Sequence, residues 1–597
     1  MTNNYLVDFY NTILTLETGL LAISAAIIFV LFQLVYSSFS LREVNLLLKN
    51  KYFGFYIGLH LFAIILTAGS SLLLSSSHNF LPLNLYTNTI IMNQWWPVLI
   101  LILLFIVGYL FIQSLKQVAT FLNPAGIALL ISSRIKPRDI RNFILNKFGV
   151  KNPSNLFMLS RYMKYIENNE LEKVEFIQED FKKENQKNNE LYERTKLEVL
   201  DYDEDPLLPL VELAQRSLIK SDIVTFKKIL ECYCDISQNF VLEYSTEQNA
   251  GSWSPDQELL PNFIEHILNH MQSLQEIIHK EDLYSAEKEI IILLRRIALG
   301  IIGEKKLYLS TQIIKFIKQT ANKSIGLSPE VFKECVNVIS DIGEKLVELD
   351  ENGSVNDVSD EVFRSLGWVG ERLIETVPIE KKPMMSDFDY ETELDVLINR
   401  LLGFGLSFRN KYPNTYPLIY FDALDVIRLQ IIDKMGYDDE IKNIVYSLTY
   451  ELFSFGEAAI FAKNRKGVDL SVSRIVRAYR EFSERNLDEY AKDTIADLVR
   501  IGALIACYQD TLEGDGFLEK DLESYIIQEI ANSPWVDKIA YELHEATVKV
   551  SPGKIKDGKD LVWKYIVKLG KAMNTNFNFM FDWSTGELYS PNDPRRK

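Results

Sequence analysis

Aspartates occupy every second position at the start of the stretch DYDEDPLLPLVE, a spacing that could bind a cation. In the twelve-residue frame of a calcium-binding loop, positions one, three, five and twelve are Asp201, Asp203, Asp205 and Glu212. A glutamate at position twelve binds calcium through both carboxylate oxygens. Position six needs a residue that allows a sharp turn, and here it is Pro206, whose φ is fixed. These acids are therefore either a calcium site or caps for the helix that follows.

Two histidines form a second pattern that could do chemistry. His266 and His270 are four residues apart in EHILNH, so a helix places both on one face, a spacing that suits a metal ion. The alternative is a pair of surface or hydrogen-bonded histidines. The chain has no phosphate loop, nucleotide-binding glycine pattern or nucleophile elbow, so the sequence predicts neither an enzyme nor a cofactor.

A third pattern, apolar-x-x-apolar-Gly-Glu, recurs along the chain. Its glycines are Gly303, Gly343, Gly370 and Gly456. Apolar residues lie four and one positions before each glycine and four positions after it, which puts the glycine on an apolar helical face. Because glycine in a helix interior costs about 1 kcal/mol relative to alanine, its recurrence predicts that a second helix approaches closely there. The glutamate that follows would lie on the flank of the helix.

These glycines must be positioned by helices. From Pro206 onward, apolar residues recur at intervals of three and four, and capped restarts such as Ser328-Pro329-Glu330 separate the helices. The pattern predicts a mostly α-helical domain of helical hairpins at 201–550, followed by an extension at 551–597.

The hairpins that carry the Gly-Glu pattern, at about 285–465, resemble degenerate HEAT or armadillo-like repeats. That resemblance implies stacked hairpins with an extended surface for binding proteins, and it implies no catalytic residues. Because the glycines are unevenly spaced, an irregular helical bundle is the alternative.

The N-terminal part of the chain has a different composition. No charged residue lies between Lys51 and Lys116. Since a membrane span needs about 20 apolar residues, the sequence predicts transmembrane α-helices at 19–36, 53–74 and 96–115 in a membrane domain at 1–120. A basic segment and charged connector would follow at 121–200. Gln33 and His60 in these spans are either a site in an ion or proton path or make interhelical hydrogen bonds.

Charge and topology complete the expectation. Basic residues on one side of the spans place the N-terminus outside and the C-terminal domain in the cytoplasm. The formal net charge of -17 argues against nucleic acid as a partner, and four cysteines are too few for a disulfide framework. We therefore expect a multi-pass inner-membrane protein that contacts the lipid bilayer and whose cytoplasmic helical domain is a protein-binding scaffold or sensor. The alternative is an oligomeric ion channel or transporter, and a homo-oligomer is compatible with either function.

Overall fold

The computed structural model places most of the chain in helices. It describes residues 5, 8–9, 11–23, 26, 59–68, 98–110, 112–113, 116, 124–149, 194, 204–245, 259–304, 306–350, 356–376, 390–412, 415, 417–435, 439–508, 512, 521–531, 533–549, 558–574, 581–582 and 587–588. The chain divides into two compact units. One comprises residues 1–140 and 204–233, and the other comprises 141–203 and 234–597.

The helices from residue 124 onward have the following bounds. They are α1 Pro124–Ser132, α2 Pro137–Phe148, α3 Leu208–Ile219, α4 Ile223–Tyr244, α5 Leu259–Lys280, α6 Tyr284–Gly303, α7 Ser310–Ser324, α8 Pro329–Leu349, α9 Asn356–Thr376, α10 Tyr390–Lys411, α11 Leu418–Met435, α12 Asp439–Phe461, α13 Arg465–Glu484, α14 Asp488–Tyr508, α15 Leu522–Ala531, α16 Val536–Lys549 and α17 Gly558–Ala572. Two short antiparallel strands, β1 Phe581–Asp582 and β2 Glu587–Leu588, follow.

The N-terminal residues correct the prediction of a membrane protein. In the part of the chain that the structure describes, no helix has both the length and the apolar character needed to span a membrane. The helical stretches described there, 11–23, 59–68 and 98–110, hold 13, 10 and 13 residues, against the about 20 that a span requires. The predicted fold class and location, a multi-pass inner-membrane protein, are therefore wrong. The other residues of the predicted spans, Gln33 among them, lie outside the described residues.

His60 is buried in this N-terminal unit. One of its ring nitrogens, Nε2, lies 2.9 Å from the backbone oxygen of Glu17, which joins the helical residues 59–68 to 11–23. An interhelical hydrogen bond was one of the two roles considered for His60. The side chain of Glu17 is also buried, and burial raises the pKa of its carboxyl group, with a hydrogen bond to Thr67 and the charge of His60 opposing the rise.

In the larger unit, helices pack in two rows. The even-numbered row runs α6, α8, α10, α12, α14, α16, and each helix packs against the next member of the row. The odd-numbered helices α5, α7, α9 and α11 pack against one another in the same order. Each helix from α5 to α9 and from α12 to α14 contacts the helices one and two positions along the chain. The helical character predicted for 201–550 agrees with the described residues of that range.

Charged side chains connect neighbouring helices of the even-numbered row, and we call this set the ion-pair ladder. Its pairs are Arg295–Asp341, Arg400–Asp341, Arg409–Glu451, Lys442–Glu489 and Arg500–Glu542. Each pair joins two helices that are adjacent in the row. A pair at the surface contributes little by itself, so the ladder fixes the register of the row more than it adds stability, except where its members are buried.

The recurring glycines lie where three helices meet. A Cβ atom added to Gly370 on α9 would lie 2.7 Å from Leu397 Cδ2 of α10 and 2.8 Å from Ile427 Cδ1 of α11. Gly343 and Gly456 are in equally close contact with the next two helices in the chain. No larger side chain fits these positions without displacing a neighbour, so the predicted close approach is present at these three glycines.

Gly303 differs from the other three. It ends α6, and a Cβ added to it would meet no atom within 4 Å. The prediction of close packing is therefore wrong for Gly303. The glutamates that follow the four glycines are half-buried, as expected for flanking positions, and Glu304 accepts a hydrogen bond from Ser245 Oγ at 2.7 Å.

Candidate functional site

The turn between α13 and α14 determines where α14 begins. Asn486 has a φ of 58°, in the left-handed region that asparagine tolerates better than most residues. The backbone N–H of Leu487 donates to the carbonyl of Phe482, which closes the turn. Asp488 and Glu489 then occupy the first turn of α14, where negative charge interacts favourably with the helix dipole. As a result α14 lies between α12 and α16 in the even-numbered row.

Two carboxylates from α14 and α16 share one arginine. Asp497 is 1% exposed and Glu542 is 0% exposed. Arg500 Nε donates to Glu542 Oε2 at 2.6 Å, and Arg500 Nη1 donates to Asp497 Oδ1 at 3.3 Å. Lys538 Nζ lies 3.1 Å from Glu542 Oε1, at ion-pair distance but without hydrogen-bond alignment. The second oxygen of Asp497, Oδ2, is buried and has no hydrogen-bond partner among the described residues.

This arrangement makes Asp497 hard to ionise. Burial raises the pKa of Asp497 to about 7, and the negative charges of Glu542 and Asp493 add to the rise. The positive charges of Arg500 and Lys538 oppose it. Because burial disfavours the charged carboxylate and a second carboxylate shares its guanidinium, the proton on Asp497 is lost near neutral pH instead of near pH 4.

Tyrosines on α12 and α16 lie around this buried centre, and we call Tyr446, Tyr450 and Tyr541 the tyrosine surface. The rings of Tyr446 and Tyr450 stack with centroids 5.8 Å apart. Asp497 and Arg500 are close enough to Tyr446 to affect the pKa of its hydroxyl group, which burial raises. Tyr541 lies beneath the Lys538 ammonium at 5.9 Å. Tyr450 and Tyr541 are 39% and 46% exposed.

The burial of the carboxylates limits what the site can do. A general acid or base must come within hydrogen-bond distance of a reacting atom, and Asp497 is too deeply buried to reach a substrate. The exposed groups are tyrosine rings with charged side chains between them. Tyrosine combines apolar area with a polar hydroxyl and is enriched in protein interfaces. The arrangement is therefore suited to recognition.

The residues of the predicted calcium loop are only partly described. Asp201 and Asp203 lie outside the described residues, and Glu212 is half-buried on α3. Asp205 Oδ1 accepts a hydrogen bond from the backbone N–H of Leu207 at 2.8 Å, immediately before α3. This is a local turn bond from an aspartate to the backbone two residues on. The N-cap residue of α3 is Leu207, and no described side chain caps that helix. Calcium binding by these acids remains a prediction.

The predicted histidine pair does share one face of α5. The rings of His266 and His270 are 4.2 Å apart, and Phe143 packs against His266 at 5.2 Å. Lys147 Nζ lies 3.1 Å from His266 Nδ1, so an ammonium donor already occupies that ring nitrogen. A nearby ammonium also disfavours a second cation. The hydrogen-bonded alternative accounts for His266, and metal binding by the pair remains a prediction.

The sequence interpretation did not identify Asp497, Arg500 or Glu542. The sequence around YELHE does indicate a buried acid. Glu542 follows Ile539 by three residues and precedes Leu543, so it lies on the apolar face of the helix. Asp497 likewise lies between apolar neighbours of α14. Their convergence could not be seen, because Arg500 and Glu542 are 42 residues apart and only the packing of α14 on α16 joins them.

Comparison with known proteins does not add a relative. The chain matches no protein-family model, no curated protein and no solved structure.

Proposed function

We propose that the larger unit is a protein-recognition scaffold, built from helical hairpins in the manner of degenerate HEAT or armadillo-like repeats. Repeat proteins of this kind stack hairpins so that each contacts only its neighbours, and they bind partners through the surface that the stack presents. Three features support the proposal: the two rows of helices, the glycines at three-helix contacts, and the ion-pair ladder.

The tyrosine surface is the observation that carries this proposal. Tyr450 on α12 and Tyr541 on α16 are substantially exposed. Both helices are bonded to α14, α12 through Lys442 and Glu489 and α16 through Arg500 and Glu542. A rigid aromatic surface loses little conformational entropy when a partner binds. Tyrosine and arginine are also the residue types that most often dominate binding energy.

The partner class follows from charge and residue type. The net charge of -17 disfavours a polyanionic partner such as nucleic acid. The tyrosine surface mixes aromatic rings with charges of both signs, Lys442 and Lys538 beside Asp493. A protein surface that has an apolar centre and a polar rim matches this mixture.

The test is affinity capture from a lysate of the source cells, using the full chain as bait. We compare the wild type with a Tyr450→Ala/Tyr541→Ala variant and quantify the captured proteins by mass spectrometry. Tyr308→Ala is the matched control, because Tyr308 is 56% exposed and lies in the short turn between α6 and α7.

We expect at least one protein to be captured about 10-fold or more weakly by the double variant and unchanged by the control, since a hot-spot tyrosine contributes at least about 1–2 kcal/mol. Equal melting temperatures of the three proteins would show that folding is intact. If the double variant captures every protein as well as the wild type does, the tyrosine surface is not the recognition site.

A further inference from the structure

A second buried carboxyl group lies at the contact of α5, α6 and α7, remote in sequence from the tyrosine surface. Glu287 in the first turn of α6 is 0% exposed. Its Oε1 accepts a hydrogen bond from Gln275 Nε2 of α5 at 3.1 Å. Gln275 Nε2 also donates to Thr320 Oγ1 of α7 at 2.8 Å. One amide group thus connects the glutamate to helices on both sides.

His279 of α5 completes the cluster at its edge. Its Nε2 lies 3.2 Å from Glu287 Oε1, within ion-pair distance but not aligned for a hydrogen bond. The imidazole is about one quarter exposed, whereas the carboxyl group is fully buried. His279 is therefore in contact with both the buried carboxyl group and solvent.

Few charged groups offset a charge on Glu287. The charged and titratable groups that face it are His279 from α5, the exposed Lys323 from α7, the buried thiol of Cys335 from α8, and Tyr284 on α6 itself. Of these, only Lys323 carries a permanent positive charge. The second oxygen, Oε2, is buried with no hydrogen-bond partner among the described residues.

The titration of both groups agrees with this geometry. Burial raises the pKa of Glu287 to about 7, with Lys323 and the bond from Gln275 opposing the rise. Burial and the charge of Lys323 lower the pKa of His279. The stable form near pH 6.5 is then a neutral carboxylic acid beside a neutral imidazole. If the position needed only an acceptor for Gln275, a neutral amide would provide it without the cost of burying a charge.

We propose that Glu287 is a proton-binding group that holds α5, α6 and α7 together when protonated and loosens their contact when it ionises. The device is local to these helices and independent of the tyrosine surface. It would make the first helices of the larger unit open more readily in a neutral or alkaline medium than in a mildly acidic one.

The direction of the pH dependence follows from the difference in the pKa of Glu287 between the closed and open forms. When the helices open, Glu287 reaches solvent and its pKa returns to about 4.5. The closed form holds its proton up to about pH 7, so the stability of the closed form is complete below pH 4.5 and is lost as the pH rises to 7. His279 acts oppositely, because its lowered pKa favours the closed form above pH 6.5. Above pH 6.5 the dependence on Glu287 therefore dominates.

Hydrogen exchange on the full chain at pH 6, 7 and 8, corrected for intrinsic rates, tests the proposal. In the wild type, the opening equilibrium for the amides of α5, α6 and α7 should rise several-fold between pH 6 and pH 8, because the roughly tenfold rise due to Glu287 is partly offset by His279. Glu287→Gln keeps the shape of the protonated acid and should abolish this rise. Asp497→Asn, the matched control in α14, should leave it unchanged.

Two results would overturn the proposal. One is a wild type whose protection in α5–α7 is the same at pH 6 and pH 8. The other is a Glu287→Gln variant that shows the same rise as the wild type, since the titrating group would then lie elsewhere. Because the wild-type measurement needs no substitution, the test stands even if the variant folds poorly.

Discussion

The junction around Glu287 and the junction around Asp497 bury the same kind of group in different surroundings. In both, burial raises the carboxyl pKa to about 7. Glu287 contacts the amide of Gln275 and the imidazole of His279, and the charge of the exposed Lys323 acts on it without a direct bond. Asp497 lies beside Arg500, Lys538 and a second buried carboxylate. The same pKa thus results at Glu287 from burial with little opposing positive charge. At Asp497 it results from burial opposed by strong positive charges.

Two of the recurring glycines also differ in their packing, although Gly303 lies at the opposite end of α6 from Glu287. A Cβ atom added to Gly303, at the end of α6, would meet no atom within 4 Å. Gly456 on α12 is instead enclosed by α13 and α14. The Asp497 region is held by fixed charges, whereas the polar contact of Glu287 with the neighbouring helices runs through one amide group within an apolar core of α5, α6 and α7. Raised carboxyl pKa values alone do not separate a rigid support from a device that can open. The permanence of the partner charges does.

The largest expected effect is at Arg500. Arg500→Gln leaves Asp497 and Glu542 buried without their shared cation, so we expect a loss of about 3 kcal/mol or more in the free energy of unfolding at pH 8. The loss should shrink at pH 5, where Asp497 is protonated. Urea denaturation at the two pH values measures it.

The control for Arg500 is Arg372→Gln, which removes an exposed pair with Glu375. Such pairs contribute at most about 1 kcal/mol. If Arg500→Gln costs no more than Arg372→Gln, the two junctions do not differ in the way described.

A smaller effect is expected at Gly456. An added Cβ would lie 2.5 Å from Ile501 Cδ1 and from Ser471 Oγ, and Ser471 is held by a hydrogen bond to the carbonyl of Leu452. Overpacking costs about 1–3 kcal/mol, and the better helix propensity of alanine returns up to about 1 kcal/mol. Gly456→Ala should therefore destabilise by about 1–2 kcal/mol in thermal or urea unfolding.

Gly303→Ala is the matched substitution at an open glycine, the last residue of α6. Because no atom is displaced there, its effect should lie within about 1 kcal/mol of zero. Equal losses for the two alanine variants would contradict the contrast in packing.

The smallest expected effect is that of Asp497→Asn, which distinguishes the titration of Asp497 from that of Glu287. Ionisation of Asp497, whose pKa is about 7 when folded and 3.8 when unfolded, lowers stability as the pH rises between those values. Asp497→Asn should therefore remove about 1 kcal/mol from the wild-type loss of stability between pH 6 and pH 7, measured by urea denaturation. In hydrogen exchange, the change should appear at α14 and leave α6 unaffected. A change at α6 would mean that the junctions are coupled.

Sequence patterns predicted those parts of this structure that depend on neighbours along one helix. The three- and four-residue spacing predicted helices at 201–550, and the phase of Gly343, Gly370 and Gly456 predicted close helix contacts. The same pattern wrongly predicted a close helix contact at Gly303, because it does not show that α6 ends there. The apolar N-terminal composition predicted membrane spans, which the described helices do not support.

The buried acids show why the rest could not be predicted. Glu287 and Gln275 are 12 residues apart on different helices, and Arg500 and Glu542 are 42 apart. Each pair forms only when its two helices pack together, and a local sequence pattern does not show which helices become neighbours. A carboxylate within an apolar helical phase, as at Glu542, is the one local sign that such a partner must exist.

The sequence distance spanned by the ion-pair ladder has a consequence for how the chain folds during synthesis. The bonds between neighbouring helices of the even-numbered row join residues such as Arg500 and Glu542, 42 apart, or Asn337 and Arg400, 63 apart. Contacts within the row thus join helices that are near each other in sequence, so the contact order of the row is low. Each hairpin of the row can therefore dock on its predecessor as soon as it has emerged from the ribosome, in the N-to-C direction that domains follow during translation.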